Sequence, residues 1–150
     1  MNQQQDDAGA ARAQAVAGEL RVVLGKLKRR LRAEAHLGDF TWPQVQVLIR
    51  LEREGPATVS TLARAQGMRP QSMGETLAAL KETGLVGGAP DPADGRQTVL
   101  SLSAAGRRKI KAARAAREDW LFRAIRASLA PAEQVQLASA VELLKRLADF

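Results

Sequence analysis

A chain of 150 residues can hold one domain with a proper core and is too short for two ordinary ones. It contains no cysteine, which excludes disulfides, zinc–thiolate sites and thiol redox switches, and no apolar run approaches the roughly 20 residues needed to cross a bilayer. Lys and Arg number 23 against 16 Asp and Glu, so a net charge of +7 draws polyanions, nucleic acid before an anionic membrane surface, besides aiding solubility.

Aromatic residues make up only 3% of the chain, so Leu, Val, Ile and Ala must fill the interior, a composition that favours helices. Residues 1–10 are polar and expected to be a disordered tail, with no apolar signal core; a cytoplasmic location follows as the default. From Ala11 to about His36 the spacing predicts a first helix. Val16, Leu20, Val23, Leu24, Leu27 and Leu31 share one face, and Gly38 is the stop signal. Thr41 opens a second helix, with Gln44 at capping-box spacing and Pro43 in the first turn; Gly55-Pro56 ends it. A short third helix runs from Thr58 or Ser60 to Gln66, with Gly67 suited to a left-handed terminus. Pro70 starts a fourth helix that buries Met73, Leu77 and Leu80 and ends at Gly84.

The pattern then changes. Leu85-Val86 and Val99 to Leu102 read as two strands, and the turn formers from Gly87 to Arg96 read as the protruding tip of a hairpin. Ser103 caps a fifth helix through Arg126, and Pro131 begins a sixth with Leu137, Val141, Leu144 and Phe150 apolar. Two helices joined by a tight glycine-bearing turn, followed by a hairpin, make a winged helix-turn-helix in a mainly α fold of six helices. Such a module offers a helix to the major groove and a hairpin tip to the neighbouring minor groove.

Four stretches carry a family resemblance: Pro56 to Ala63 entering the third helix, Leu-Lys-Glu-Thr-Gly-Leu-Val from Leu80 to Val86, Asp91-Pro92-Ala93-Asp94-Gly95-Arg96 in the hairpin, and Leu102-Ser103-Ala104-Ala105-Gly106 leaving it. In this order the chain resembles the multiple-antibiotic-resistance-regulator (MarR) family over roughly residues 15–148. The resemblance implies a homodimer in which the first, fifth and sixth helices (11–37 and 104–150) intertwine with a second copy, flanked by winged helices (41–103). The leucine-lined first helix and the apolar terminal helices agree, since they exceed what one winged domain needs to cover itself.

The expected partner is double-stranded DNA, read as a pseudo-palindrome with half-sites about 10 bp apart. At the hairpin tip Arg96 is a planar cation suited to a narrow minor groove, and Asp94 is spaced to orient it; the resemblance implies the same roles, while a plain turn ion pair is the alternative. On the fourth helix Arg69, Gln71, Ser72, Glu75 and Thr76 lie near the exposed N-terminal turns. Gln suits adenine and Glu accepts from cytosine N4. The family usually carries arginine at the position of Glu75 and threonine or a similar residue at Gly74, so a different operator is expected; a carboxylate favoured by the helix dipole is the other reading of Glu75. Arg107, with Arg108, Lys109 and Lys111, is placed to touch the DNA backbone. The cluster Lys26 to Arg32 reads as a solvated face or a phosphate contact.

His36, Phe40 and Trp42 lie where the first two helices meet. The resemblance implies that small aromatic or phenolic effectors bind near such a corner; a structural histidine and core aromatics are the alternative. No cofactor and no metal are expected. One histidine, no tyrosine and scattered carboxylates leave an enzyme without a constellation to work with. Two binding alternatives stay open: an architectural, nonspecific nucleic-acid-binding protein, and a protein–protein adaptor.

Overall fold

The computed structural model describes the backbone of residues 2–150 and the side chains from Asp6 onward. Six helices and three short strands follow in the order α1 (Asn2–Glu34), α2 (Trp42–Glu54), β1 (Ala57–Thr58), α3 (Val59–Ala65), α4 (Pro70–Glu82), β2 (Val86–Pro90), β3 (Thr98–Leu102), α5 (Ala104–Ser128) and α6 (Pro131–Ala148). The six-helix winged helix-turn-helix expected from the spacing is the observed fold.

Local signals set most boundaries. The Thr41 amide donates to Gln44 Oε1 at 2.9 Å and the Gln44 amide to Thr41 Oγ1 at 3.4 Å, completing the capping box of α2. Gly55, Gly67 and Gly84, with φ of 84°, 61° and 74°, turn the chain after α2, α3 and α4. Ser103 caps α5, accepting from the Gly106 amide at 3.0 Å while its hydroxyl donates to the Gly84 carbonyl at 2.6 Å.

Several expectations are corrected. The tail expected to be disordered is helical from Asn2; Met1 lies outside the described residues. The three Gln and two Ala of this stretch carry little helix penalty, and extending an existing helix costs far less than starting one. The far end of α1 stops at Glu34, and the residue that turns it is His36, with φ 51°, rather than Gly38. Ala35 and Leu37 on either side are buried, so seating them sets the chain direction there. Leu85 is a bend rather than a strand residue. Conversely, β2 continues through Gly87, Gly88 and Ala89 to Pro90, where turn residues suggested a loop. Pairing with β3 overrides the local preference, with Val86 opposite Leu102, Gly88 opposite Leu100 and Pro90 opposite Thr98. The two-residue strand β1 has no expectation behind it. It pairs with β3 on the side away from β2, giving an antiparallel order β1-β3-β2.

The core sits in the winged lobe. Val47, Leu48, Leu62, Met73, Leu80 and Leu100 are fully buried where α2, α3, α4 and the sheet meet. Ile110 of α5 joins this cluster, and a smaller one of Ala35, Leu37, Val45 and Ala113 ties the end of α1 to α2 and α5. Gly106 lets α5 dock, because a Cβ there would collide with the Leu85 carbonyl oxygen. The terminal helices differ: α6 buries no residue, and Val23, Leu24, Val135, Leu143 and Leu147 stay exposed.

Candidate nucleic-acid interface

Pro70 at the first position of α4 lacks an N–H, and Arg69 in the N-cap position makes no capping bond, so the following first-turn amides remain free to meet an acceptor. With Met73, Leu77 and Leu80 buried, the opposite face must point outward. Arg69, Gln71, Ser72 and Glu75 are exposed and Thr76 is half-buried. Gln71 and Glu75 stand one helical turn apart on that face. The Thr76 hydroxyl donates to the Ser72 carbonyl at 3.0 Å, which consumes its only proton and leaves its acceptor pairs and methyl group.

The wing tip is built by carboxylates. Asp91 Oδ1 accepts from the Ala93 amide at 2.9 Å, and Asp94 Oδ1 accepts from both the Arg96 amide and Arg96 Nε, each at 3.2 Å. The Arg96 side chain holds its carboxylate yet remains 91% exposed, so its two terminal nitrogens point a braced charge into solvent. This bond, and next the Arg96 amide, pull the Asp94 carboxyl below its ordinary 3.8.

Residues 71 and 96 therefore sit on the elements expected for them. A further cation joins them. A side chain on Gly88 would meet Thr98 Cγ2 at 2.9 Å and Lys81 Nζ at 3.1 Å, so Lys81 lies across β2 between the last turn of α4 and the wing. The Gly87-Gly88 pair was the only signal for this close approach, and it also fits an ordinary turn. Arg107 sits elsewhere. Its Nη1 donates to the Leu102 carbonyl at 2.8 Å, and its side chain lines a depression between α2, β3 and α5.

The three residues expected at the effector corner have different surroundings. Phe40 packs against both core clusters with Lys109 Nζ 5.7 Å from its ring centre, and His36 is exposed. Only Trp42 lines a depression, of about 180 Å³, together with Lys28, Arg29 and Arg32. Lys28 Nζ and the Arg32 guanidinium lie 4.7 and 5.1 Å from the Trp42 ring centre, and Arg30 stacks on Trp120 at 5.6 Å. The basic stretch of α1 is thus partly spent on covering aromatic rings.

Comparison with known proteins meets the same architecture. Residues 39–97 match a MarR family model. A helix-turn-helix-type transcriptional regulator of Mycobacterium bovis is 37% identical over 89% of this chain and 93% of its own length, and one from Mycobacterium leprae is 33% identical over the same shares. This chain belongs to the MarR family. Among solved MarR-like folds, a transcriptional regulator protein from Pseudomonas aeruginosa is 40% identical, with a TM-score of 0.81 over 90% of this chain and 95% of that one. MarR of E. coli, at 21% identity, shares the fold with a TM-score of 0.71 over 88% and 95% of the two chains. A MepR variant of S. aureus, bound to an oligodeoxyribonucleotide, shares it at 19% identity, with a TM-score of 0.65 over 87% and 96%. As a MarR-family helix-turn-helix transcriptional regulator, the chain has its work in DNA-binding regulation of transcription. No helix among the described residues is long and apolar enough to cross a membrane.

Proposed function

We propose that the chain is a cytoplasmic repressor that binds a pseudo-palindromic operator as a homodimer and acts by occupancy rather than by turnover. The observation that carries this is the pairing of an uncapped recognition helix, α4, with an exposed, carboxylate-braced Arg96 at the wing tip. Gln71 and Glu75 read base edges in the major groove; Arg69 and Ser72 hold the phosphate path beside them; Thr76 offers its methyl group and acceptor pairs to a base edge; Arg96, oriented by Asp94, enters the minor groove. A carboxylate repels phosphate, so the natural partner of Glu75 is a base donor such as cytosine N4. The uncovered apolar faces of α1 and α6 support a second copy as the partner that buries them.

Release follows the same logic. A single-ring aromatic effector in the Trp42 corner, near His36 and Phe40, would displace Lys28 or Arg32 from the indole and shift α1 against α2. A coupling of about 1–3 kcal/mol is enough to change operator occupancy.

The test is selection of genomic fragments by the purified protein, followed by titration of the enriched site against unrelated duplex at one salt concentration. A repressor favours its operator by a factor on the order of 10³ or more. A ratio near one would leave an architectural binder instead. Small phenolic compounds that neither bind nor change operator affinity would remove the release step alone.

A further inference from the structure

A depression of about 470 Å³ opens between the C-terminal end of α2, strand β3 and the first turns of α5, and it shares no lining residue with the exposed face of α4 or with the wing tip. Its apolar part comes from Leu51, Pro56 and Leu102. Facing these are Arg107, Lys111 and Arg114, whose spacing of four and three residues sets all three cations on one stripe of α5. Arg107 is fixed by its bond to the Leu102 carbonyl, and Arg114 by an ion pair with Glu52 that bridges α5 to α2. Lys111 forms no ion pair among the described residues.

Three cations and one carboxylate leave this depression with two positive charges. A monocarboxylate would neutralise half of that surplus, whereas a phosphate monoester, with a second pKa near 6, carries close to two negative charges at neutral pH. Arginine presents paired donors suited to phosphate oxygens, and Lys111 adds a mobile point charge. The apolar side would cover a carbon body rather than a bare ion. We propose that this depression binds a small organic phosphate monoester with an apolar body, its phosphate held by Arg107, Lys111 and Arg114. Phosphate oxygens on Arg114 compete with Glu52, so the bound ligand loosens the bridge between the winged lobe and α5. This site is separate from the Trp42 corner and does not depend on the effector proposed there.

The experiment is calorimetric titration of the full chain with phenyl phosphate, inorganic phosphate and benzoate at pH 7.5, with backbone amide shifts followed by NMR. Saturable binding of phenyl phosphate is expected, about tenfold tighter than either of the others, with shifts at Glu52, Gly55 and Ser101. Lys111→Met should weaken it about tenfold, and Ser101→Leu, which adds bulk to the lining, should do so without removing a charge. Thermal melts establish that both variants are folded. The site is refuted by no saturable binding up to about 10 mM, by equal affinity for phosphate and phenyl phosphate, by indifference to both variants, or by shifts confined to Lys28, Arg32 and Trp42. Displacement of phenyl phosphate by short duplexes of any sequence would reassign these cations to the DNA backbone and equally overturn the proposal.

Discussion

The winged lobe and the terminal helices are made of similar residues and are held in opposite ways. In the lobe, leucines from α2, α3, α4 and β3 vanish from solvent because four elements converge on them. In α1 and α6, leucines and valines at the same helical spacing remain exposed, 57% for Leu143 and 63% for Leu147. Periodicity therefore specifies a face, and the surroundings decide whether that face is covered. The lobe supplies its own cover; the terminal helices leave their apolar faces open.

The contrast can be broken by truncating one residue in each region. Leu62→Ala removes a fully buried side chain from the lobe and should cost about 3–4 kcal/mol in urea unfolding. Leu143→Ala, measured in the same way on dilute protein, should cost well under 1 kcal/mol. Equal losses would abolish the distinction. The proposed dimer sharpens it: Leu143→Glu with Leu147→Glu should yield monomers by light scattering at micromolar concentration while core amides of the lobe keep their exchange protection.

Smaller effects test how the lobe meets DNA. Arg96→Ala should lower operator affinity by about 1–2 kcal/mol and reduce the salt slope by about one ion, with stability unchanged because the side chain is exposed. Glu75→Gln should leave overall affinity within a few-fold while altering base preference at one position of each half-site, worth about 1–2 kcal/mol; an unchanged preference would assign Glu75 to the helix dipole. The smallest effect belongs to Asp94. Its carboxyl titrates lower folded than unfolded, so its contribution is present above pH 3.8 and lost as pH falls through the depressed value. The wing tip, followed by NMR of the Arg96 amide, should stay ordered at pH 5 and loosen only below pH 3.8. Loosening between pH 5 and 7 would mean that Asp94 does not hold it.

Helix order, caps and the wing were legible in the residues, because each rests on chemistry confined to a few neighbours. Thr41 with Gln44, Ser103, Pro70 and the left-handed Gly67 and Gly84 all act within one turn of chain. The exposed face of α4 followed from its buried one, and the Asp94–Arg96 bond from a spacing of two. Tertiary contact decided the rest. Strand β1 exists only because β3 passes beside it, β2 overrides two glycines by pairing, and Gly106 matters only because Leu85 approaches from elsewhere in the chain. Arg107 turned toward β3, Phe40 met Lys109 and the core, and Trp42 met Lys28 and Arg32, because neighbours distant in sequence offered each a different partner. Local hydrogen bonds and periodicity can be read along one dimension, whereas the partner of an exposed cation or aromatic ring is set by what the folded chain brings within a few ångströms.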